Sequence, residues 1–195
     1  MGSRALARRL LELRALPPRV GWFHARALLL AARAGDEFAL QSATRPADVA
    51  LILELAQGRR RVAELGTATG WTAASLVLTD PARQVETFDP VIQTHRARYL
   101  GLLPAAARAR IALREMPGDA GAATVAEPVD LLFIDSTHER VATVAEVEAW
   151  RPRLAPGALV VLHDYGNPAF PGDAEAVADL GLAGEARGGC FISRA

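Results

Sequence analysis

Acidic and histidine side chains recur at one kind of position in this 195-residue chain, just after short apolar runs. Glu64 and the glycine-bracketed turn Gly66-x-x-x-Gly70 follow the first such run, Asp89 the second, Gly118-Asp119-Ala120 the third, Asp135 to His138 the fourth and His163-Asp164-Tyr165 the fifth. Glycines 66 and 70 suit a backbone that takes positive φ or lets a ligand come close, and the helix expected behind them would present unpaired N–H groups. The spacing is not the dinucleotide fingerprint G-x-G-x-x-G, and no Gly-Lys-Ser/Thr follows, so phosphate is not the evident guest. A carboxylate at Glu64 repels pyrophosphate and attracts an ammonium or sulfonium. Asp89, twenty-three positions after Gly66, stands where a carboxylate accepts hydrogen bonds from both ribose hydroxyls. Asp119 could accept from the exocyclic amine of an adenine while the N–H of Ala120 serves a ring nitrogen. Each of these two acids could instead cap a helix.

To bring five such positions together the chain needs parallel strands separated by helices. The patterning predicts strands at 62–65, 84–88, 110–114, 129–134 and 158–162, with helices over 71–78, 92–102, 119–126 and 139–150 between them. The runs Leu131–Ile134 and Leu159–Leu162 are continuously apolar, as central strands buried on both faces should be. A loop over 165–172, a helix over 173–179 and a hairpin at Gly188-Gly189 complete the chain and make the last strand antiparallel. Ahead of the sheet, helices are expected over 3–16 and 22–34, a loop over 38–45, and a third helix that Ser42 or Thr44 could cap, with Pro46 in its first turn. In an open sheet of this kind the ligand lies beyond the carboxyl ends of the strands, where strand order reverses.

Hydrophobic residues make up 51% and charged residues 23%, values for one soluble domain with a sizeable core. The formal net charge is zero, which gives no basic face for nucleic acid. No apolar run long enough for a membrane span appears. Cys190 is the single cysteine, so an intramolecular disulfide and a thiolate metal cluster are excluded and a reducing, cytoplasmic setting is expected.

Six segments in order, Glu64-Leu-Gly-Thr-Ala-Thr-Gly70, Phe88-Asp89, Gly118-Asp119-Ala120, Phe133-Ile-Asp135 with His138, Leu154-Ala-Pro-Gly157 and His163-Asp164-Tyr165, resemble a class I S-adenosylmethionine-dependent methyltransferase. More closely, they resemble the small-molecule O-methyltransferases of the catechol and macrolide-sugar type. The resemblance covers roughly residues 40–195. It implies an α/β, Rossmann-like seven-stranded sheet, mostly parallel with an antiparallel last strand and helices on both faces. Residues 1–45 would be a helical extension covering the acceptor pocket, and 46–195 the cofactor-binding domain. Glu64 and the backbone from Gly66 through Thr67 to Gly70 would hold the methionine part of S-adenosylmethionine, with Thr72 at its carboxylate and Ser42 alongside. Asp89 would hold the ribose, and Gly118, Asp119 and Ala120 the adenine, with Asp135 both against the cofactor and catalytic. Trp71 could pack against the cofactor or belong to the core.

For the acceptor, the resemblance implies Mg²⁺ or another divalent cation held by Asp135 and Asp164, with His163 where relatives often carry a second carboxylate. Imidazole suits Mn²⁺, Fe²⁺ or Zn²⁺ better than Mg²⁺. Asn167 might complete an oxygen shell. His138 is placed as general base, its ordinary pKa of about 6.5 letting it take a hydroxyl proton at neutral pH. His24 and His95 read as packing or surface residues, and Tyr165 and Phe170 as aromatic pocket walls. The expected function is therefore methylation of a hydroxyl on a small molecule, assisted by a metal, in a pocket that a second subunit could complete as a homodimer. Three alternatives stay open: a metal-independent methyltransferase with His138 as base, a non-catalytic S-adenosylmethionine-binding protein, and an NAD(P)-linked oxidoreductase, against which Glu64 and the missing G-x-G-x-x-G count.

Overall fold

The computed structural model describes residues 9–195, so of the first expected helix residues 3–8 lie outside it. After the short 3-10 turn Leu13–Ala15 come three helices, α1 (Pro18–Ala34), α2 (Glu37–Ser42) and α3 (Pro46–Leu55). The alternating part follows: β1 (Arg61–Leu65), α4 (Trp71–Thr79), β2 (Gln84–Phe88), α5 (Arg96–Leu100), α6 (Ala105–Arg108), β3 (Ile111–Arg114), α7 (Gly118–Gly121), β4 (Val129–Ile134), α8 (Arg140–Trp150), β5 (Leu154–His163) and α9 (Gly172–Asp179). The hairpin β6 (Gly184–Arg187) and β7 (Cys190–Arg194) closes the chain.

The seven strands form one sheet in the order β3-β2-β1-β4-β5-β7-β6. The first five are parallel neighbours, and β7 runs antiparallel to β5 and to β6. Strand order therefore reverses between β1 and β4, and the carboxyl ends of those two strands define the crevice. Alternate residues of each strand feed two cores. Val62, Val85, Leu131, Phe133, Leu159 and Val161 pack with Phe23, Val49, Ile52 and Leu76 of the helices on one face. On the other face Ala63, Leu65, Leu132, Ile134, Val160 and Leu162 pack with Val147, Trp150 and Val177. Leu13, Leu16 and Val20, ahead of the sheet, share the first of these cores. No described helix is long and apolar enough to cross a membrane.

Local chemistry moves several expected boundaries. The loop expected over 38–45 contains α2, because Gly35 ends α1 with φ 64° and the Asp36 carboxylate then caps the next helix by accepting from the N–H of Ala39 at 3.0 Å. Neither Ser42 nor Thr44 caps α3; Arg45 stands at that position without a capping bond, its guanidinium donating instead to Asp48 at 2.8 Å, and the Thr44 hydroxyl meets that of Thr72 at 3.1 Å. Helix α1 starts at Pro18, so Pro17-Pro18 separates the turn from a helix four residues longer than expected at its start. The helix expected over 92–102 is confined to Arg96–Leu100, because the Arg96 guanidinium folds back to the carbonyls of Ala68 and Val91 and holds 90–95 as a loop. The helix expected over 119–126 is the single turn α7, and β5 begins at Leu154 rather than 158, since Leu154 already pairs with Val129.

Candidate active site

Beyond the carboxyl end of β1 the chain turns on Gly66, whose φ is 95° and whose N–H donates to the carbonyl of Phe88 at 2.8 Å. A Cβ at this position would lie 1.9 Å from the carbonyl oxygen of Asp135, so glycine is needed for space as well as for conformation. A cleft of about 430 Å³ opens here, lined by Gly66, Asp89, Gly118, Asp119, Asp135 and Glu146 among others. It thus gathers five of the residues expected to hold a cofactor. Phe38 of α2 forms part of its rim.

Asp89 is the best-anchored acid of this cleft. One oxygen accepts from the N–H of Val91 at 2.8 Å; the other accepts from the N–H of Ala68 at 2.9 Å and from Arg96 Nη2 at 2.8 Å. Asp119 is exposed, and its Oδ1 accepts from the N–H of Ala120 at 2.8 Å, so the donor and acceptor expected to read an adenine are bonded to each other. Glu64, expected at the cofactor's methionine part, does not line the cleft; it is buried in β1, where it accepts from the Thr87 hydroxyl. Burial raises its pKa to about 8 against the pull of that hydrogen bond. Thr67 is buried and shares a 2.7 Å hydrogen bond with the same Thr87. Two buried polar atoms near this end have no hydrogen-bond partner among the described residues, Ser42 Oγ and Trp71 Nε1. Trp71 itself packs edge-on against Phe23, His24 and Tyr99. Gly70 and Thr72 sit at the start of α4, outside the lining of the cleft.

The second part of the site is a cluster of histidines and acids after β4 and β5. Asp135, His138 and Asp164 place one ligand-type atom each within 4.8 Å of one another. His138 Nδ1 is 2.8 Å from Asp173 Oδ2, and the Thr143 hydroxyl donates to the other oxygen of Asp173 at 3.1 Å. This leaves His138 Nε2 facing Asp135 at 3.6 Å and Asp164 at 3.9 Å. Burial works against a charge on His138, but the bond to Asp173 and the nearby acids outweigh it and raise the pKa above the ordinary imidazole value. Phe170 stacks on its ring at 4.6 Å between centroids.

His163 is arranged differently. Its Nδ1 is 2.9 Å from Asp135 Oδ1 and its Nε2 is 3.4 Å from Asp48 Oδ2, so carboxylates occupy both ends of the ring. Burial opposes protonation here too, yet the bonds to Asp135 and Asp48 raise its pKa to about 10. Both ring nitrogens thus face carboxylates, and Nδ1 also lies 3.6 Å from Asp164 Oδ2. The set with one ligand-type atom each within 4.8 Å is Asp135, His138 and Asp164. That set of two carboxylates and one imidazole suits Mn²⁺, Fe²⁺ or Zn²⁺ by donor type. Asn167 turns its amide nitrogen toward Asp164 Oδ1 at 3.2 Å, donating rather than offering an oxygen.

On the other side of this cluster lies a second cleft of about 850 Å³, lined by Arg45, Asp48, Asp164, Tyr165 and Asn167 together with the hairpin glycines 188 and 189. Tyr165 is one of its walls and packs on Phe191, whereas Phe170 serves the His138 ring. His24 is buried away from both clefts and bonds to Ser75, and His95 bonds to the capping Asp36. Backbone strain marks the same region: among described non-glycine residues only Ala68, His138 and Asp164 have positive φ, at 44°, 57° and 54°. Asp48, Asp173, Glu146 and Arg96 complete the site, and all four were missed in the sequence. Asp48 and Asp173 look there like ordinary acids in a helix's first turn, and Glu146 and Arg96 like surface charges.

The comparisons with known proteins agree with this architecture. A family model described as a methyltransferase domain matches residues 63–165, more than half of the chain. No curated protein matches it. Among similar solved structures is apo CalS11, a TDP-rhamnose 3'-O-methyltransferase of calicheamicin biosynthesis, 18% identical, with 98% of this chain and 93% of that chain covered at a TM-score of 0.62. An O-methyltransferase from Bacillus cereus in complex with SAH is 16% identical, covering 85% and 87%, at 0.66. TomG from Streptomyces achromogenes, an O-methyltransferase in complex with SAM, is 21% identical, covering 82% and 78%, at 0.62. At these identities the likeness carries the fold alone.

Proposed function

This chain belongs to the methyltransferase-domain family, and on that premise we propose that it transfers a methyl group from S-adenosylmethionine to a hydroxyl oxygen of a small molecule, with His138 as the general base. The observation that carries this reading is the position of the Asp135–His138–Asp164 cluster, which borders a donor-side cleft through Asp135 and a larger second cleft through Asp164. A donor and an acceptor filling the two clefts meet at Nε2 of His138.

S-adenosylmethionine, when bound, supplies an electrophilic methyl group on a sulfonium. The donor set fits such a guest: Asp89 for ribose hydroxyls and a cleft lined by the carboxylates of Asp89, Asp119 and Asp135, opposite in sign to a sulfonium. His138 Nε2 takes the proton of the acceptor hydroxyl as its oxygen bonds to the methyl carbon, and the C–S pair stays on sulfur. Asp173 keeps Nδ1 as the protonated nitrogen, so that Nε2 carries the lone pair. Asp135 and Asp164 then stabilise the imidazolium. The charged His163 between Asp48 and Asp135 offsets the negative charge that would otherwise gather there. Phe170 excludes water from one face of His138.

A metal-assisted reading is favoured by the 4.8 Å grouping of Asp135, His138 and Asp164, which would hold a divalent cation able to acidify the hydroxyl. The two readings compete for one lone pair at Nε2.

Labelled S-adenosylmethionine with a panel of hydroxylated acceptors, with and without EDTA, tests both. Transfer that survives EDTA and is lost in His138→Ala is expected. Transfer abolished by EDTA and restored by Mn²⁺ would favour the metal. Calorimetric binding of NAD(H) in place of S-adenosylhomocysteine would overturn the methyltransferase reading altogether.

A further inference from the structure

The α8 wall of the donor-side cleft carries a carboxylate with no part in the chemistry above. Glu146 is 7% exposed and lines the cleft with Ala145 and with Ala142, one turn earlier on the same helical face. Its two oxygens are in different situations. Oε2 accepts from the Ser136 hydroxyl at 2.8 Å. Oε1 lies 2.7 Å from where a Cβ at position 118 would be, so Gly118 is what lets the carboxylate reach this point of the cleft. Among the described residues no donor is bonded to Oε1. The Gly118 side of the contact is rigid, because the Trp150 indole donates to the Gly118 carbonyl at 2.8 Å.

Asp119, one residue on, is the acid that the sequence points to for an adenine, but it is exposed and already satisfied by the N–H of Ala120. Glu146 is 7% exposed and held by the Ser136 hydroxyl, with Oε1 facing the cleft, whereas the exposed Asp119 turns to water; a fixed acceptor discriminates between ligands more strongly than a mobile one. Burial has raised the Glu146 pKa to about 7, against the Ser136 bond, and a donor at Oε1 would relieve that cost.

Resting on the reading that this cleft binds S-adenosylmethionine, we propose that Glu146, through Oε1, is the residue that recognises the exocyclic amine of the adenine. Ser136 and Gly118 act as positioning residues, one fixing the carboxylate and the other making room for it. The cleft thereby selects an amino-purine over a keto-purine at its inner end.

Titration calorimetry with S-adenosylhomocysteine and with S-inosylhomocysteine, which carries a keto oxygen in place of the amine, tests this without turnover. The wild-type chain should prefer the amino ligand by about tenfold or more. Glu146→Gln, of the same shape and able to donate as well as accept, should lose that preference by weakening the amino ligand and strengthening the keto one. A preference that survives in Glu146→Gln, or is lost only in Asp119→Asn, overturns the proposal and leaves the cofactor reading standing. Equal weakening of both ligands in Glu146→Gln assigns the residue a packing role and also overturns it. A wild-type chain that binds neither ligand sinks the cofactor reading itself.

Discussion

His138 and Asp173, thirty-five positions apart, are joined by a 2.8 Å hydrogen bond between Nδ1 and Oδ2. The contact brings α9 against the loop after β4, and it decides which ring nitrogen of His138 is free. Gly172 is part of the arrangement, because a Cβ there would lie 2.4 Å from the carbonyl oxygen of His138.

The first expectation concerns this pair. His138→Ala should lower kcat by about 10²–10⁴-fold, the range of a general base, with S-adenosylhomocysteine affinity unchanged. The base works only when neutral, and its pKa is raised, so the rate should climb as pH rises through a midpoint above the ordinary imidazole value of about 6.5. Asp173→Asn removes a charge that raises the pKa, so the midpoint should fall. A pH–rate profile with the same midpoint in both proteins would show that Asp173 does not act on His138.

Stability should depend on pH through His163. Its folded pKa of about 10 exceeds the unfolded value of about 6.5, so its contribution is complete below pH 6.5 and disappears as pH rises towards 10. Urea midpoints measured in EDTA from pH 6 to 10 should therefore decline, and His163→Gln should flatten the decline. Asp48→Asn should flatten it in part, since Asp48 holds one end of the ring.

Gly66→Ala should fail for two reasons acting together, a φ of 95° and a Cβ 1.9 Å from the Asp135 carbonyl oxygen. We expect a loss of about 3 kcal/mol or more in unfolding free energy, or no soluble protein. Gly58→Ala, with φ 74° but nothing within 4 Å of the added carbon, should cost only about 1 kcal/mol. Similar denaturation midpoints for the two variants would show that the loop contact does not constrain the fold.

Cys190 offers a test of the packing of β7. It is fully buried beside β5, and burial together with the charges of Asp48, Asp135 and Asp164 raises its pKa to about 12. A thiol-disulfide reagent should leave the native protein unmodified over hours and react with one thiol in denaturant. Fast labelling of the folded protein would contradict the β5–β7 pairing.

The parallel sheet and its closing hairpin were legible because β4 and β5 are apolar throughout and Gly188-Gly189 interrupts the chain between two strands. The sequence also placed Asp135, His138 and Asp164 together, since all three follow strands that end at the crevice. It did not place Asp48 or Asp173. Each sits in the first turn of a helix, where an acid satisfies the helix end in many proteins, and only the packing of α3 and α9 over the strand ends turns them toward histidines. The helix α2 was missed because Gly35-Asp36 stops one helix and starts another, and the two signals overlap in adjacent residues. Histidine 163 was legible as a member of the cluster but not as a bridge, because its partner Asp48 lies 115 positions away.

The contact between Gly66 and Asp135 bears on how such an enzyme can diversify. The N–H of Asp135 donates to the carbonyl of Leu65 at 2.8 Å, and the Asp135 carbonyl packs against the Gly66 backbone, so the donor-side and acceptor-side loops meet without an intervening side chain. They form one mechanical part. A change in the loop after β4 would shift the loop after β1, whereas the loop residues Gly166 to Pro168 on the second cleft make no such backbone contact with it. On the proposed assignment, acceptor range should therefore change through the far wall with S-adenosylhomocysteine affinity kept.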